Sequence, residues 1–210
     1  MMKVIVIGAH SSIGEFVVSK LMGNGYTSCA VVSSENQIEL LKKRGATEAV
    51  LYEETILPTL FQGYDAAIYL TGINPKARAG RTVMVDHESV IETVKEAEKQ
   101  GVKRFVMMSA IMANEAAGDD SREIGAKEMP DELLRQSNLT YTIIQPGALT
   151  DKPGDGKISA AETLDSNELE ISREDMAEVL VVSLETEAAF NKTFEVASGD
   201  TAVNKALASL

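Results

Sequence analysis

Short apolar runs alternate along the chain with segments in which apolar residues recur every three or four positions. The apolar runs predict strands at Lys3–Ile7, Cys29–Val32, Ala49–Leu51, Ala66–Leu70, Arg104–Ser109, Tyr141–Gln145 and Thr193–Val196. The periodic segments predict helices that begin near Ser12, Glu35, Leu57, Val83, Lys127 and Ser172, with a last helix from Thr201. Consecutive strand–helix–strand units are typical of parallel sheets. The pattern therefore predicts an α/β fold, a doubly wound and mostly parallel sheet with helices on both faces, and one domain over residues 1–210.

Two stretches carry no sustained period, residues 114–120 and 149–167, and both are rich in Gly, Asp, Ala and Ser. We expect loops there, close to strand ends where ligands bind in open α/β sheets. Helix starts show their own signals. Ser12 with Glu15 three residues later predicts a capping box, and Ser172 precedes two acids that suit the first turn of a helix.

The first strand runs directly into a turn and a helix through residues 8–14, GAHSSIG. A loop of this kind binds a dinucleotide pyrophosphate in Rossmann folds, with one glycine for the turn, one for close backbone approach and one for helix packing. Ser11 takes the middle position, so a Cβ and a hydroxyl stand where close approach is wanted, although free helix N–H groups can still bind an anion. His10 adds a donor toward phosphate if it is protonated. The predicted cofactor-binding residues of this loop are Gly8, His10, Ser11, Ser12, Ile13 and Gly14.

The composition narrows the choice of partners. The 32 acidic and 20 basic residues give a net charge of -12, which disfavours binding to nucleic acid and to anionic membranes. No apolar run is long enough for a signal peptide or a membrane span, and the single Cys29 is expected to be an inert buried residue in a cytoplasmic protein. The two histidines, His10 and His87, have no cysteine partner, so we expect no metal site. The acidic stretches 115–123 and 162–175 are expected to be solvated.

Five segments, in order, resemble the atypical short-chain dehydrogenase/reductase family, in particular its small NAD(P)H-binding, NmrA-like and biliverdin-reductase-like members. They are KVIVIGAHSSIG, YDAAIYLTG, VKRFVMMSA, LTYTIIQPGAL and ISREDMAEVLV, and together they span nearly the whole chain. Each motif alone is weak, but five in the right order make chance agreement improbable.

The resemblance implies a site at the carboxyl ends of the strands. It assigns catalytic roles to Ser109, which would orient a substrate carbonyl, and to Lys127, which would hold the ribose. It adds Thr71, Gly72, Ser109, Lys127, Pro146 and Gly147 to the cofactor-binding residues. The family places a tyrosine four residues before the lysine, where this chain has Glu123. A carboxylate there would pair with Lys127, so ordinary tyrosine-dependent reduction is not expected.

The choice between NAD and NADP stays open, because the end of the second strand carries neither a carboxylate for the ribose nor an arginine for a 2′-phosphate. Ser33 and Ser34 stand there as uncharged ligands, followed by Glu35. The favoured function is an NAD(P)(H)-dependent oxidoreductase with a degenerate site, acting on a small carbonyl or flavin-like substrate. The alternative is a cofactor-sensing or regulatory protein that acts through a protein partner. A sugar-nucleotide epimerase is less expected, because the sequence offers no long C-terminal substrate domain. No oligomeric state is assigned.

Overall fold

The structure is a computed structural model that describes residues 1–70, 82–109, 130–165 and 169–210. Within residues 82–88 it describes the helical backbone only. Thr71, Gly72, Glu123, Lys127 and the predicted loop at residues 114–120 therefore lie outside the described residues, as does the side chain of His87.

Strands account for most of the predicted apolar runs. Eleven are found in the described part of the chain: β1 Lys3–Ile7, β2 Thr27–Val32, β3 Glu48–Leu51, β4 Ala66–Leu70, β5 Arg104–Met108, β6 Thr140–Pro146, β7 Ala148–Thr150, β8 Lys157–Ala161, β9 Glu170–Ser172, β10 Lys192–Ser198 and β11 Thr201–Ala202. Nine of them form one sheet in the order β11-β8-β10-β6-β5-β4-β1-β2-β3, and β7 pairs with β9 separately. Across this sheet, the seven strands β3, β2, β1, β4, β5, β6 and β10 pair in parallel with one another. Strand β8 pairs antiparallel with both β10 and β11.

Helices cover both faces of this sheet, as the sequence predicts. Their bounds are α1 Ser12–Gly23, α2 Ile38–Arg44, α3 Thr82–Lys99, α4 Pro130–Gln136, α5 Arg173–Ser183 and α6 Val203–Ala208. One apolar layer packs α1, α2, α5 and α6 against one face, and a second packs α3 and α4 against the other. The order of the parallel strands is that of a Rossmann fold, which confirms the predicted fold class.

Several boundaries differ from the prediction. The helices expected near Glu35 and Leu57 begin as short 3-10 turns, Glu35–Gln37 and Glu54–Thr59, the second of which contains a proline. The stretch 149–167 is not all loop, because it contains β8 and most of β7. In β8 only Ile158 is buried, so the strand shows no apolar run, and its pairing with β10 is set by tertiary contacts.

A buried arginine, Arg104, is the first residue of β5, at the amino-terminal ends of the parallel strands. The residue is 5% exposed, and its guanidinium donates hydrogen bonds to the carbonyl oxygens of Thr140 and Ser183 at 2.8 Å each. It also lies 4.6 Å from the ring centre of Phe190. Burial lowers the pKa of Arg104 to about 10. Since Ser183 ends α5, this cation ties the negative end of that helix to the sheet.

Candidate active site

The strand order reverses between β1 and β4, which is the point at which dinucleotides bind in doubly wound sheets. The loop that follows β1 lies at this point. Ala9 is fully buried, and its N–H donates to the carbonyl oxygen of Val31 at 3.2 Å, which fixes the loop against the end of β2. The elements expected to hold a cofactor therefore converge at one edge of the sheet.

Each glycine of the loop meets a conformational demand. Gly8 has a φ of 83°, a left-handed conformation that glycine adopts without steric cost. At Gly14, a Cβ would lie 2.6 Å from both the Cα and the carbonyl carbon of Ala9, too close for any other residue. These two positions fill the turn and packing roles that the sequence predicts for them.

Ser11 is the N-cap of α1. Its hydroxyl accepts a hydrogen bond from the Gly14 N–H at 3.2 Å and donates to the Gly8 carbonyl oxygen at 3.1 Å. The prediction of a capping box formed by Ser12 and Glu15 is wrong, because the N-cap residue is Ser11 and Ser12 is already the first residue of the helix. The N–H groups of Ser12 and Ile13 belong to the first turn, have no carbonyl partner within the helix, and are left for an anion.

Two other polar side chains of this region have defined surroundings. Glu15 accepts a hydrogen bond from Arg44 Nε at 3.0 Å, so its carboxylate is neutralised by α2. The Nδ1 atom of His10 is buried, and in the described ranges of the chain it has no hydrogen-bond partner. Burial lowers the pKa of His10 below its ordinary value, which makes the charged donor anticipated from the sequence less available.

Ser33 and Ser34 lie at the carboxyl end of β2, beside the loop. The Ser33 hydroxyl lies 3.3 Å from Gln37 Oε1, and the same oxygen accepts the Ser34 N–H at 3.1 Å. The Ser34 hydroxyl contacts the side chain of Asn36. Both serines thus organise a local turn, and neither supplies the charge that would select NAD over NADP.

Ser109 follows β5 and is bonded to an acid that the sequence analysis missed. Its Oγ lies 3.1 and 3.2 Å from the two carboxylate oxygens of Asp131 in α4. Ser109 is 6% exposed and Asp131 8% exposed, so the pair is shielded from water. The Ser109 N–H also donates to the Ile144 carbonyl oxygen at 2.8 Å, which anchors the residue beside β6.

The end of β6 adds a second missed residue, Gln145. Met108 pairs with Ile144, so the next residues, Ser109 and Gln145, are adjacent and share a face of the sheet. Gln145 is 6% exposed, and its Nε2 atom has no hydrogen-bond partner among the residues that the structure describes. A polar residue inside an apolar strand that precedes Pro146 is the sequence signal that could have identified it.

The Pro146–Gly147 turn closes the strand. A Cβ on Gly147 would lie 2.5 Å from the Leu169 carbonyl carbon, so the glycine allows two backbone segments to touch. Pro146 is half-buried at the same strand end.

The first turn of α5 organises the segment after β7. Asp175 is 4% exposed, accepts the Gly156 N–H at 2.8 Å and bonds the Ser172 hydroxyl at 2.8 Å. Glu174 accepts the Gly154 N–H at 3.1 Å. The expectation that acids 162–175 are merely solvated is therefore wrong for Asp175, which is buried and fixes the backbone of the segment after β7.

The other candidates are simpler. Cys29 is buried in the core, and burial raises the pKa of its thiol, as expected of an unreactive residue. Within the described ranges, no group of three or more His, Cys, Asp or Glu side chains could hold a metal ion. Across those same ranges, every helix is too short or too polar to cross a membrane.

Comparison with known proteins agrees with this geometry. The chain is 36% identical to the uncharacterized sugar epimerase YhfK of Bacillus subtilis and 31% identical to the UPF0659 protein YMR090W of Saccharomyces cerevisiae, covering all of this chain and at least 99% of each relative. A solved structure from Bacillus halodurans, classed among NAD-dependent epimerases/dehydratases, superposes with a TM-score of 0.87 at 31% identity over the full length of both chains. The model of the NAD(P)H-binding family matches residues 8–187. The resemblance to the atypical short-chain dehydrogenase/reductase family is thereby confirmed, and the chain belongs to the NAD(P)H-binding family.

Proposed function

We propose that the protein is an NAD(P)(H)-dependent oxidoreductase that acts on a small carbonyl or flavin-like substrate without the usual tyrosine. The observation that carries this proposal is the buried Ser109–Asp131 pair, at the same sheet edge as the loop at residues 8–14. A buried serine bonded to a carboxyl group at a strand end offers a proton where substrates bind in open α/β sheets.

The loop residues suit a dinucleotide. Gly8 and Gly14 keep the loop tight against the helix, and the N–H groups of Ser12 and Ile13 are suited to a pyrophosphate. The buried Nδ1 of His10 has no protein partner and can bond a ligand oxygen. Ser33 and Ser34 offer hydroxyls to the adenosine ribose, and Thr71, Gly72 and Lys127 remain predicted contacts. The chemistry supplied by a bound NAD(P)H is hydride transfer.

The proton is the contribution of this chain. With Asp131 ionised, the single proton of Ser109 lies on the bond to the carboxylate, and the serine oxygen can only accept. With a proton on Asp131, the carboxyl group donates to Ser109, whose own proton can then pass to a substrate oxygen as that oxygen gains charge. Arg135 Nη2 lies 4.0 Å from Asp131 Oδ2 and favours the ionised carboxylate. In this proposal the Ser109–Asp131 pair therefore acts as the acid in those molecules in which Asp131 carries a proton, with Ser109 as the group that passes a proton to the substrate.

Titration of the purified protein with NADH and NADPH, followed by nicotinamide fluorescence, tests the binding half of the proposal. Turnover is then measured against quinones, small aldehydes and flavins. We expect Asp131→Asn to lower turnover about a hundredfold or more with little change in cofactor affinity, because it cannot supply the acidic proton. The matched control is Glu132→Gln, which changes the neighbouring and more exposed acid of the same helix.

Each half can fail separately. No binding of either dinucleotide would refute the proposal as a whole. Binding without turnover of any substrate would refute the oxidoreductase assignment, and equal turnover by Asp131→Asn and Glu132→Gln would refute the role of Asp131.

A further inference from the structure

The amide of Gln145 is buried without a partner at the edge of the sheet where the candidate site lies. In the described part of the chain, four buried side-chain polar atoms lack a hydrogen bond, and two of these are serine hydroxyls. The other two are His10 Nδ1 and Gln145 Nε2. His10 follows β1 and Gln145 is the next-to-last residue of β6, so both lie at the carboxyl ends of the parallel strands. Burying an amide donor without an acceptor costs free energy, so such a group is a candidate for a ligand contact.

Acceptors stand close to Gln145 but are engaged elsewhere. Glu195 of β10 lies directly across from it in the strand register. The Glu195 carboxylate instead accepts the Leu164 N–H at 2.8 Å. On the other side, Asp131 bonds to Ser109. Within the described residues, neither of these acids accepts a hydrogen bond from Gln145 Nε2, so this donor is free for a ligand.

The distance between Gln145 and the loop at residues 8–14 indicates which part of a dinucleotide Gln145 could contact. Three strand spacings, β1 to β4 to β5 to β6, separate the loop from Gln145, or about 14 Å at the usual interstrand distance. A dinucleotide bound with its pyrophosphate at the loop and its adenosine toward β2 would have its nicotinamide half over β5 and β6, where Ser109 and Gln145 lie.

We propose that Gln145 Nε2 donates a hydrogen bond to the carboxamide oxygen of the nicotinamide ring, an inference that rests on the proposed NAD(P)(H) binding. A primary carboxamide is the chemical complement of a glutamine amide, since each offers one carbonyl oxygen and one NH₂ group. This contact orients the ring beside Ser109. It also gives the buried donor the partner that the protein itself does not provide.

The test compares Gln145→Met with Gln136→Met. Methionine matches the size of glutamine and lacks the donor, while Gln136 lies on the exposed side of α4, bonded to Glu132. NADH and ADP-ribose are titrated into each protein. We expect Gln145→Met to weaken NADH binding about tenfold and to leave ADP-ribose binding unchanged, because ADP-ribose has no nicotinamide. We also expect a higher Tm for ligand-free Gln145→Met, because the unpaired amide is gone.

The outcomes are distinct. Wild-type protein that binds neither ligand would overturn the proposed function, and the inference with it. Wild-type binding with an equal loss of both ligands in Gln145→Met, or with no loss of either, would overturn the inference alone. If Gln145→Met fails to fold, Gln145→Leu, which also lacks the donor and is close to glutamine in volume, must show the same split between the two ligands.

Discussion

Adding one methyl group at Gly14 tests how the loop and helix α1 are packed. The Cβ of Gly14→Ala would lie 2.6 Å from two backbone atoms of Ala9, a distance that real Cβ contacts do not show. Ala9 cannot move away easily, because it is fully buried and its N–H is bonded to Val31. Helix α1 must therefore shift relative to the loop. Such overpacking costs about 1–3 kcal/mol of the free energy of unfolding.

The same helix offers a matched control. A Cβ on Gly23 would have nothing within 4 Å, so Gly23→Ala carries only the intrinsic gain of alanine in a helix, up to about 1 kcal/mol. The difference between the two variants in urea denaturation isolates the steric cost. We expect Gly14→Ala to be less stable than Gly23→Ala by at least about 1 kcal/mol.

Cofactor binding should respond in parallel. A shifted helix displaces the N–H groups of Ser12 and Ile13, and hydrogen bonds to a charged group are worth about 1.5–3 kcal/mol each. NADH affinity, followed by nicotinamide fluorescence, should fall at least about tenfold in Gly14→Ala and stay unchanged in Gly23→Ala. Equal stability and equal affinity of the two variants would refute this account of the loop.

Substitutions at three further residues probe other contacts. Ser11→Ala should cost about 1 kcal/mol of unfolding free energy through loss of the cap on Gly14, while Ser11→Gly should cost a few tenths and bind NADH more tightly. Equal NADH affinity of Ser11→Gly and wild type would contradict this. Arg104→Met should cost at least about 2 kcal/mol in urea unfolding, because buried carbonyls lose their donor. Burial, then Glu185, raise the pKa of Tyr26 to about 12, so its contribution to stability is complete below pH 10 and is lost as pH rises through 12. Tyr26→Phe should flatten that alkaline decline, and an unchanged slope of stability against pH would refute it.

The parallel strands were predictable because their burial is visible in the local sequence. Strands β1 and β4 match their predicted bounds, since a strand buried on both faces appears in the sequence as an unbroken apolar run. Strand β8 was not predictable in this way. Four of its five residues are exposed or half-buried, and only its antiparallel pairing with β10 defines it.

The residues of the candidate site likewise fall into those that the local sequence predicts and those that depend on tertiary contacts. The positions of Gly8 and Gly14 follow from backbone demands that a short motif records. Asp131 and Gln145 were missed because their importance depends on which residues lie opposite them, and that is decided by the packing of α4 and by the register of β6. Ser11 and Ser12 are equivalent as caps in the sequence, and the chain path after β1 decides between them.

Unsatisfied polar groups give this site its physical character. A folded chain normally pairs its buried donors and acceptors, because each unpaired group lowers stability. Among the described residues, His10 Nδ1 and Gln145 Nε2 are unpaired at the carboxyl ends of the parallel strands. The buried cation of Arg104 lies at the opposite ends of these strands, where it donates to backbone carbonyl groups. A ligand that bonds to both atoms would remove this cost, and the free energy recovered would add to its affinity. A dinucleotide that extends from β1 to β6 is long enough, and has polar groups at both ends, to bond to both.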